Sequence, residues 1–335
     1  MNSKIGRRQQ AAWCAAAASV PAVMTCAGRS WQWVLLGCGA AAVFFAMLGA
    51  AMRGCGSVSV STAVLRAFGA KAGGAILILG AAWTILAAAD AAAKCAGAFP
   101  SSDLSRLAPP VLLALCALSG KNGAKSGARC AAVAAPVLIL LYMLITVCAL
   151  PGVRTQWLRP WGAWTQATEV LAPMLVPAAA LYLPSTKEKN VPWSALLLLA
   201  LLPAGMAAVT SGYLSPALVQ AERFSYYTLT KNMSLLSVME RFEPVLSGSL
   251  FVGYFCLASL LVESASAQLG AAMGKWHGGR RTIALCAAAY GLSYAADRIP
   301  DAIRTAGSAV FWGLMPSLAL LIVAIKKVRK KRKSS

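Results

Sequence analysis

Asp90 and Lys94 are the ionisable pair set deepest in an apolar stretch of this chain. They stand four residues apart, so a helix places both on one face with the acid N-terminal, the favourable order for an ion pair. Counted from Phe99, at the outer end of the stretch, Asp90 lies roughly 14 Å deep and Lys94 roughly 8 Å. A carboxylate inside a membrane is a functional group until shown otherwise. Two readings stay open: a coupling group, or a structural ion pair whose lysine stretches outward to water.

Prolines mark the second place for chemistry. One apolar run reads Ala18-Ser-Val-Pro21-Ala-Val-Met-Thr25, and another reads Val170-Leu-Ala-Pro173-Met-Leu-Val-Pro177. Proline has no N–H donor and clashes with the carbonyl one turn back, so a helix is expected to kink or break there. The freed backbone groups are tolerated in a membrane only against protein or a water-filled cavity. Two interrupted segments at matching positions of two halves are a pointer to the midplane site of a repeat-built transporter fold. Ordinary kinked helices give the same pattern.

Other chemistries are poorly served. The single histidine, His277, sits in a basic loop, which leaves no imidazole cluster for a metal or a triad. No P-loop motif occurs. The ten cysteines form no CxxC and most fall in apolar runs, where they read as small packing residues. Tyr213, Tyr226 and Tyr227 read as loop packing. Neither catalysis nor a cofactor is expected. Glu169 and Glu263 fall near run ends and are expected to reach water.

The elements that must hold these residues are membrane helices. Of 335 residues, 59% are hydrophobic and 12% charged, with mean hydropathy +0.67. A soluble domain carries about 25% charged residues. Apolar runs lie at about 11–28, 33–52, 74–99, 107–119, 129–150, 166–183, 193–214, 244–262, 282–296 and 306–325. The fourth and ninth are short. With ten spans and a cytoplasmic N-terminus, 21 basic residues fall in cytoplasmic segments and nine in external ones, as the positive-inside rule requires. Dropping either short span would put the Lys-rich tail, 326–335, outside. The net charge of +21 is therefore distributed for orientation in a bilayer and does not indicate nucleic-acid binding. No cleavable signal peptide is expected, since no A-x-A site precedes a soluble domain.

Trp31, Trp33, Trp157, Trp161, Trp164 and Trp193 stand at run edges, the expected headgroup belt. Gly and Ala within the runs favour close helix approach in lipid. The longest external segment, Tyr213 to Glu243, is too polar to span. Ser237-Val-Met-Glu240 fits a capping box, which predicts a short surface helix there, with a plain connecting loop as the alternative.

This order of features resembles the B subunit of spore germinant receptors, the GerAB-type spore germination permeases of the amino acid–polyamine–organocation superfamily. The likeness rests on Ile5-Gly-Arg-Arg-Gln9 before a proline-containing first run, and on Phe224-Ser-Tyr-Tyr-Thr-Leu-Thr-Lys231 through Glu240-Arg241-Phe-Glu243 entering the eighth. The chain departs from the family pattern at Ser225, where proline is usual, and at Leu250-Phe251, where tryptophan is usual. The resemblance implies an all-α LeuT-like fold of about ten spans in one transmembrane domain. Its 5+5 inverted repeat would take about 1–150 and 160–305, with helices 1 and 6 broken. It implies a spore inner-membrane location, with both termini cytoplasmic. It implies partnership with an A-type membrane subunit and a C-type lipoprotein, and binding of a small germinant such as an amino acid. Carried onto this chain, the ligand would be lined by Ser19, Val20, Pro21, Ala22, Pro173, Met174 and Pro177. Glu240, Arg241 and Glu243 would serve the external loop or a subunit contact. An ion-coupled amino-acid transporter and a non-binding structural subunit are the competing readings.

Overall fold

The computed structural model describes residues 5–57, 59–99, 102–121, 123–159, 161–184, 193–222, 224–233, 243–274, 278–296 and 298–334. Every regular element among them is a helix. The first five are α1 (Arg7–Met24), α2 (Trp31–Cys55), α3 (Val60–Ala96), α4 (Ser102–Lys121) and α5 (Ala124–Ala149). α6 (Thr165–Leu175) continues directly as a 3-10 segment, Val176–Tyr182. Then come α7 (Trp193–Leu214), two short helices α8 (Pro216–Ala221) and α9 (Ser225–Asn232), the long α10 (Glu243–Met273) and α11 (Gly278–Ala296). The last stretch is α12 (Asp301–Ser308), a π-helical segment Ala309–Leu314 and α13 (Met315–Ser334).

Among the described residues seven stretches are long and apolar enough to cross a membrane: α1 to α5, α10, and the stretch from Asp301 to Arg329. The sixth, seventh and ninth apolar runs are helical too, as α6 with its 3-10 continuation, α7 and α11. Outward faces are apolar: Met47, Leu79, Leu118, Val133, Leu140 and Leu321 are all well exposed. Water penalises such a surface and hydrocarbon does not, which makes this an all-α membrane protein.

Local sequence explains the ends. Ser59 caps α3: its Oγ accepts the Thr62 N–H at 3.3 Å, and Thr62 Oγ1 accepts the Ser59 N–H at 3.4 Å. Within α3, Gly69 adopts φ 83°, ψ 174°, a conformation only glycine takes without strain. The first turns of α3 are thus set off from its long apolar part. In its described part, the segment expected to hold a surface helix holds α8 and α9. The capping box at Ser237–Glu240 lies outside the described residues.

Two groups of helices carry the core. α3, α4, α10 and α11 pack on one another, and α1, α2, α6 and α7 form the second group. α5 packs on α1, α7 and α10, and α13 on α2 and α3. Alanine makes these contacts close: Ala88, Ala92, Ala128, Ala131, Ala258 and Ala265 are fully buried. Trp13 fills the junction of α1 with α10. It is fully buried, and its indole N–H donates to the Cys256 carbonyl at 2.9 Å.

Candidate functional site

The first and sixth runs lie side by side in opposite directions. The side chain of Gln10 donates to the Ala180 carbonyl at 2.6 Å, and the Cys14 thiol to the Pro177 carbonyl at 3.7 Å. Further along, Ala18 and Met174 belong to one buried cluster. Of the seven residues named from the sequence, Pro177 thus meets Cys14 on α1 and Met174 clusters with Ala18, whereas Val20 and Ala22 belong to the other buried cluster and Ser19 turns towards α5 and α10. Six of these seven residues are buried, and Pro173 is half-buried.

The two interruptions differ. α1 is continuous through Pro21, which corrects the expected break. Only one ladder bond is lost, the one that would run from residue 21 to the Ala17 carbonyl. The helix recovers at once, with the Thr25 N–H donating to the Pro21 carbonyl at 2.9 Å. The sixth run does change, from α to 3-10 at Val176, with Pro177 at the start of the tighter segment. Its carbonyls are taken by side chains from three helices. Besides the two bonds from α1, Ser264 on α10 donates to Ala179 at 2.9 Å, and Ser61 on α3 to Tyr182 at 3.3 Å. Carbonyls that 3-10 geometry leaves exposed are thus satisfied by protein. The carbonyls of Ala17 and Glu169 keep no i+4 donor, because Pro21 and Pro173 have none to give.

A hydroxyl cluster adjoins this crossing. Ser19 on α1 reaches the Tyr142 hydroxyl on α5, which also accepts from Ser249 on α10 at 3.3 Å. Gly253 makes the approach possible: a Cβ there would lie 2.9 Å from Val20 Cγ2 and 3.1 Å from Ser19 Oγ. Tyr226, from α9, donates to the Tyr142 carbonyl at 3.2 Å, and burial pushes its phenol well above the ordinary range. It therefore acts as a neutral donor. Residue types alone had put Tyr226 down to loop packing, and no spacing rule links it to α5. A groove of about 720 Å³ runs between α5 and α10, lined by Val133, Val137, Leu141, Val245 and Val252, with Ser249 on its wall. None of the seven residues named from the sequence lines it.

The expected ion pair forms and has further members. Lys94 Nζ lies 2.9 Å from Asp90 Oδ2, and Arg304 Nη1 on α12 lies 3.3 Å from Asp90 Oδ1. Arg304 also pairs with Asp301 at 3.2 Å and donates to the Ala296 carbonyl at the end of α11 at 2.6 Å. Lys94 is 44% exposed and Asp90 20%, so the lysine does reach outward.

Glu169 is half-exposed and pairs with Arg29 at 2.8 Å. Glu263 does not reach water as expected: it is 8% exposed, because α10 continues to Met273, well past the anticipated end of the eighth run. Glu240 and Arg241 lie outside the described residues. Glu243 opens α10, and its side chain is not among the described ones. Among the described residues no His/Cys/Asp/Glu cluster suited to a metal occurs. No protein-family model and no curated protein matches the chain.

Proposed function

We propose that this chain is the B-type membrane subunit of a spore germinant receptor, binding a small germinant such as an amino acid where α1 passes the α6–3-10 transition. In this reading it is a ten-span, LeuT-like 5+5 protein of the spore inner membrane, with both termini cytoplasmic. Its partners are the A-type membrane subunit and the C-type lipoprotein.

The observation that carries the reading is a recurrence in the packing. When the ten apolar runs are numbered in order, helix partners recur after a shift of five. α3 packs on its counterpart α10, α4 on α11, α2 on α7, and α1 on the 3-10 end of the sixth run. Cross pairs come in twos: α4–α10 with α11–α3, α2–α6 with α7–α1, α5–α10 with α13–α3, and α5–α7 with α13–α2. Two repeats related by a pseudo-two-fold axis produce this pattern, and in such folds the site lies between the first helices of the repeats. The carbonyls of Ala17 and Glu169 supply acceptors for an ammonium, and the small side chains of Ser19 and Ala22 leave room for a small zwitterion.

A second reading, an ion-coupled amino-acid transporter, is favoured by one observation. Glu263 is a buried carboxylate inside a spanning helix, the kind of group that coupling requires. Two experiments separate the readings. Ala22→Phe and Met174→Ala, in receptors verified to assemble, should shift the germinant dose–response. An unchanged response removes the site. Uptake of labelled amino acids into proteoliposomes by this chain alone would favour the transporter.

A further inference from the structure

Glu263 sits where three helices meet. It projects from α10 towards α4 and α11, ten residues before Met273, or about 15 Å from the end of α10. Thr282 on α11 donates its hydroxyl to Oε1 at 3.3 Å. On α4, Gly120 leaves the space open: a Cβ there would stand 2.6 Å from Glu263 Oε1 and would overlap the Thr282 methyl. The charged group that acts on the carboxyl is Arg281 on α11, and the carboxyl in turn faces the thiols of Cys286 on α11 and Cys116 on α4, with Cys95 on α3 next to Cys116. Both Cys116 and Cys286 are buried. Arg281 is 5% exposed and turns its Nη1 to the Ser266 carbonyl, 2.6 Å away. The guanidinium also lies against Gly270, and so stands between Glu263 and the Met273 end of α10.

A carboxylate held in low dielectric by one hydroxyl, with the nearby guanidinium committed to a carbonyl, is poorly compensated. The neutral acid needs no such compensation and keeps a hydrogen bond with Thr282. A merely structural acid would be expected to carry a close ionic partner, as Asp90 does with Lys94 and Arg304.

We propose that Glu263 is a proton-binding site within the membrane, taking one proton from the water at the Met273 end of α10 and returning it there as the α4–α10–α11 junction loosens. The step is a simple protonation: the carboxylate gains H⁺, and Thr282 changes from donor to acceptor. The site does not depend on whether the chain senses or transports. It does, however, touch the proposed ligand region, since the next residue, Ser264, holds the Ala179 carbonyl of the 3-10 segment.

Infrared difference spectroscopy of the purified chain in lipid, titrated across pH, tests this directly. The expected result is a protonated-carboxyl stretch that titrates with pH and shifts when glutamate alone is ¹³C-labelled at the carboxyl. It should be absent in Glu263→Gln. Thr282→Val, which removes a donor to the charged form, should move the midpoint upward by on the order of one pH unit. If Glu263→Gln does not fold, the labelled wild type and Thr282→Val carry the test without it. A carboxylate ionised throughout, no glutamate-specific band, or a midpoint unmoved by Thr282→Val would overturn the proposal.

Discussion

Arg304 places Nη1 3.3 Å from Asp90 Oδ1, tying the start of the tenth run to the C-terminal half of α3. Lys94 shares the same carboxylate but is more than twice as exposed as Arg304, and water screens it accordingly. Double-mutant cycles on unfolding in mild detergent should give a coupling of about 1–3 kcal/mol for Asp90 with Arg304, and less than about 1 kcal/mol for Asp90 with Lys94. A coupling near zero for Asp90 with Arg304 would show that the arginine contact does not hold α3 and α12 together.

The sequence carried half of that relationship. The spacing of four makes Asp90–Lys94 legible, because a helix repeats every 3.6 residues. Nothing local points to Arg304, which arrives from a distant run and reads as one more external charge. Glu263 was misread for a related reason. The run Glu263-Ser-Ala-Ser-Ala-Gln268 looks like a helix leaving the membrane, yet Ser264 and Gln268 are buried. Their hydrogen bonds to Ala179, Thr84 and each other replace the water that hydropathy assumes. Pro21 shows the opposite error. A proline costs one ladder bond, and whether the helix then breaks depends on neighbours the sequence does not display. The apolar runs, by contrast, were legible because hydrocarbon leaves the backbone little choice but a helix.

Trp13 should dominate the seat of α1. Trp13→Phe keeps the ring volume largely intact and removes the indole N–H bond to the Cys256 carbonyl, which keeps the Ser259 hydroxyl, so it should cost about 1 kcal/mol. Trp13→Ala also opens a cavity between α1 and α10, and should cost about 3–5 kcal/mol. Chemical unfolding in detergent reads both. Equal losses would mean that the indole N–H bond, not the packing, is what matters.

Tyr182 closes the 3-10 segment, and its hydroxyl donates to the Phe311 carbonyl at 2.7 Å inside the π-helical segment. A π turn displaces its carbonyls from the regular ladder, and this bond captures one of them. Tyr182→Phe should raise amide hydrogen exchange across 309–314 several-fold while leaving α2 and α5 unchanged. It should lower stability by about 1–2 kcal/mol. Exchange that rises evenly over the chain would instead indicate general loosening.

Pro21→Ala separates structure from function in α1. The backbone there is already α-helical, and the Thr25 N–H already bonds the residue 21 carbonyl. Alanine therefore enters without rearrangement and restores the N–H that the Ala17 carbonyl lacks. Stability should rise by about 1–3 kcal/mol, the usual cost of an interior proline. If that free carbonyl receives the ammonium of a germinant, the same substitution removes the acceptor. The more stable variant should then need at least tenfold more germinant for an equal response, with the assembled receptor present at normal levels. A variant that gains stability and responds normally would show that the Ala17 carbonyl takes no part in binding. The ammonium would then have to be sought at the Glu169 carbonyl, across the crossing on α6.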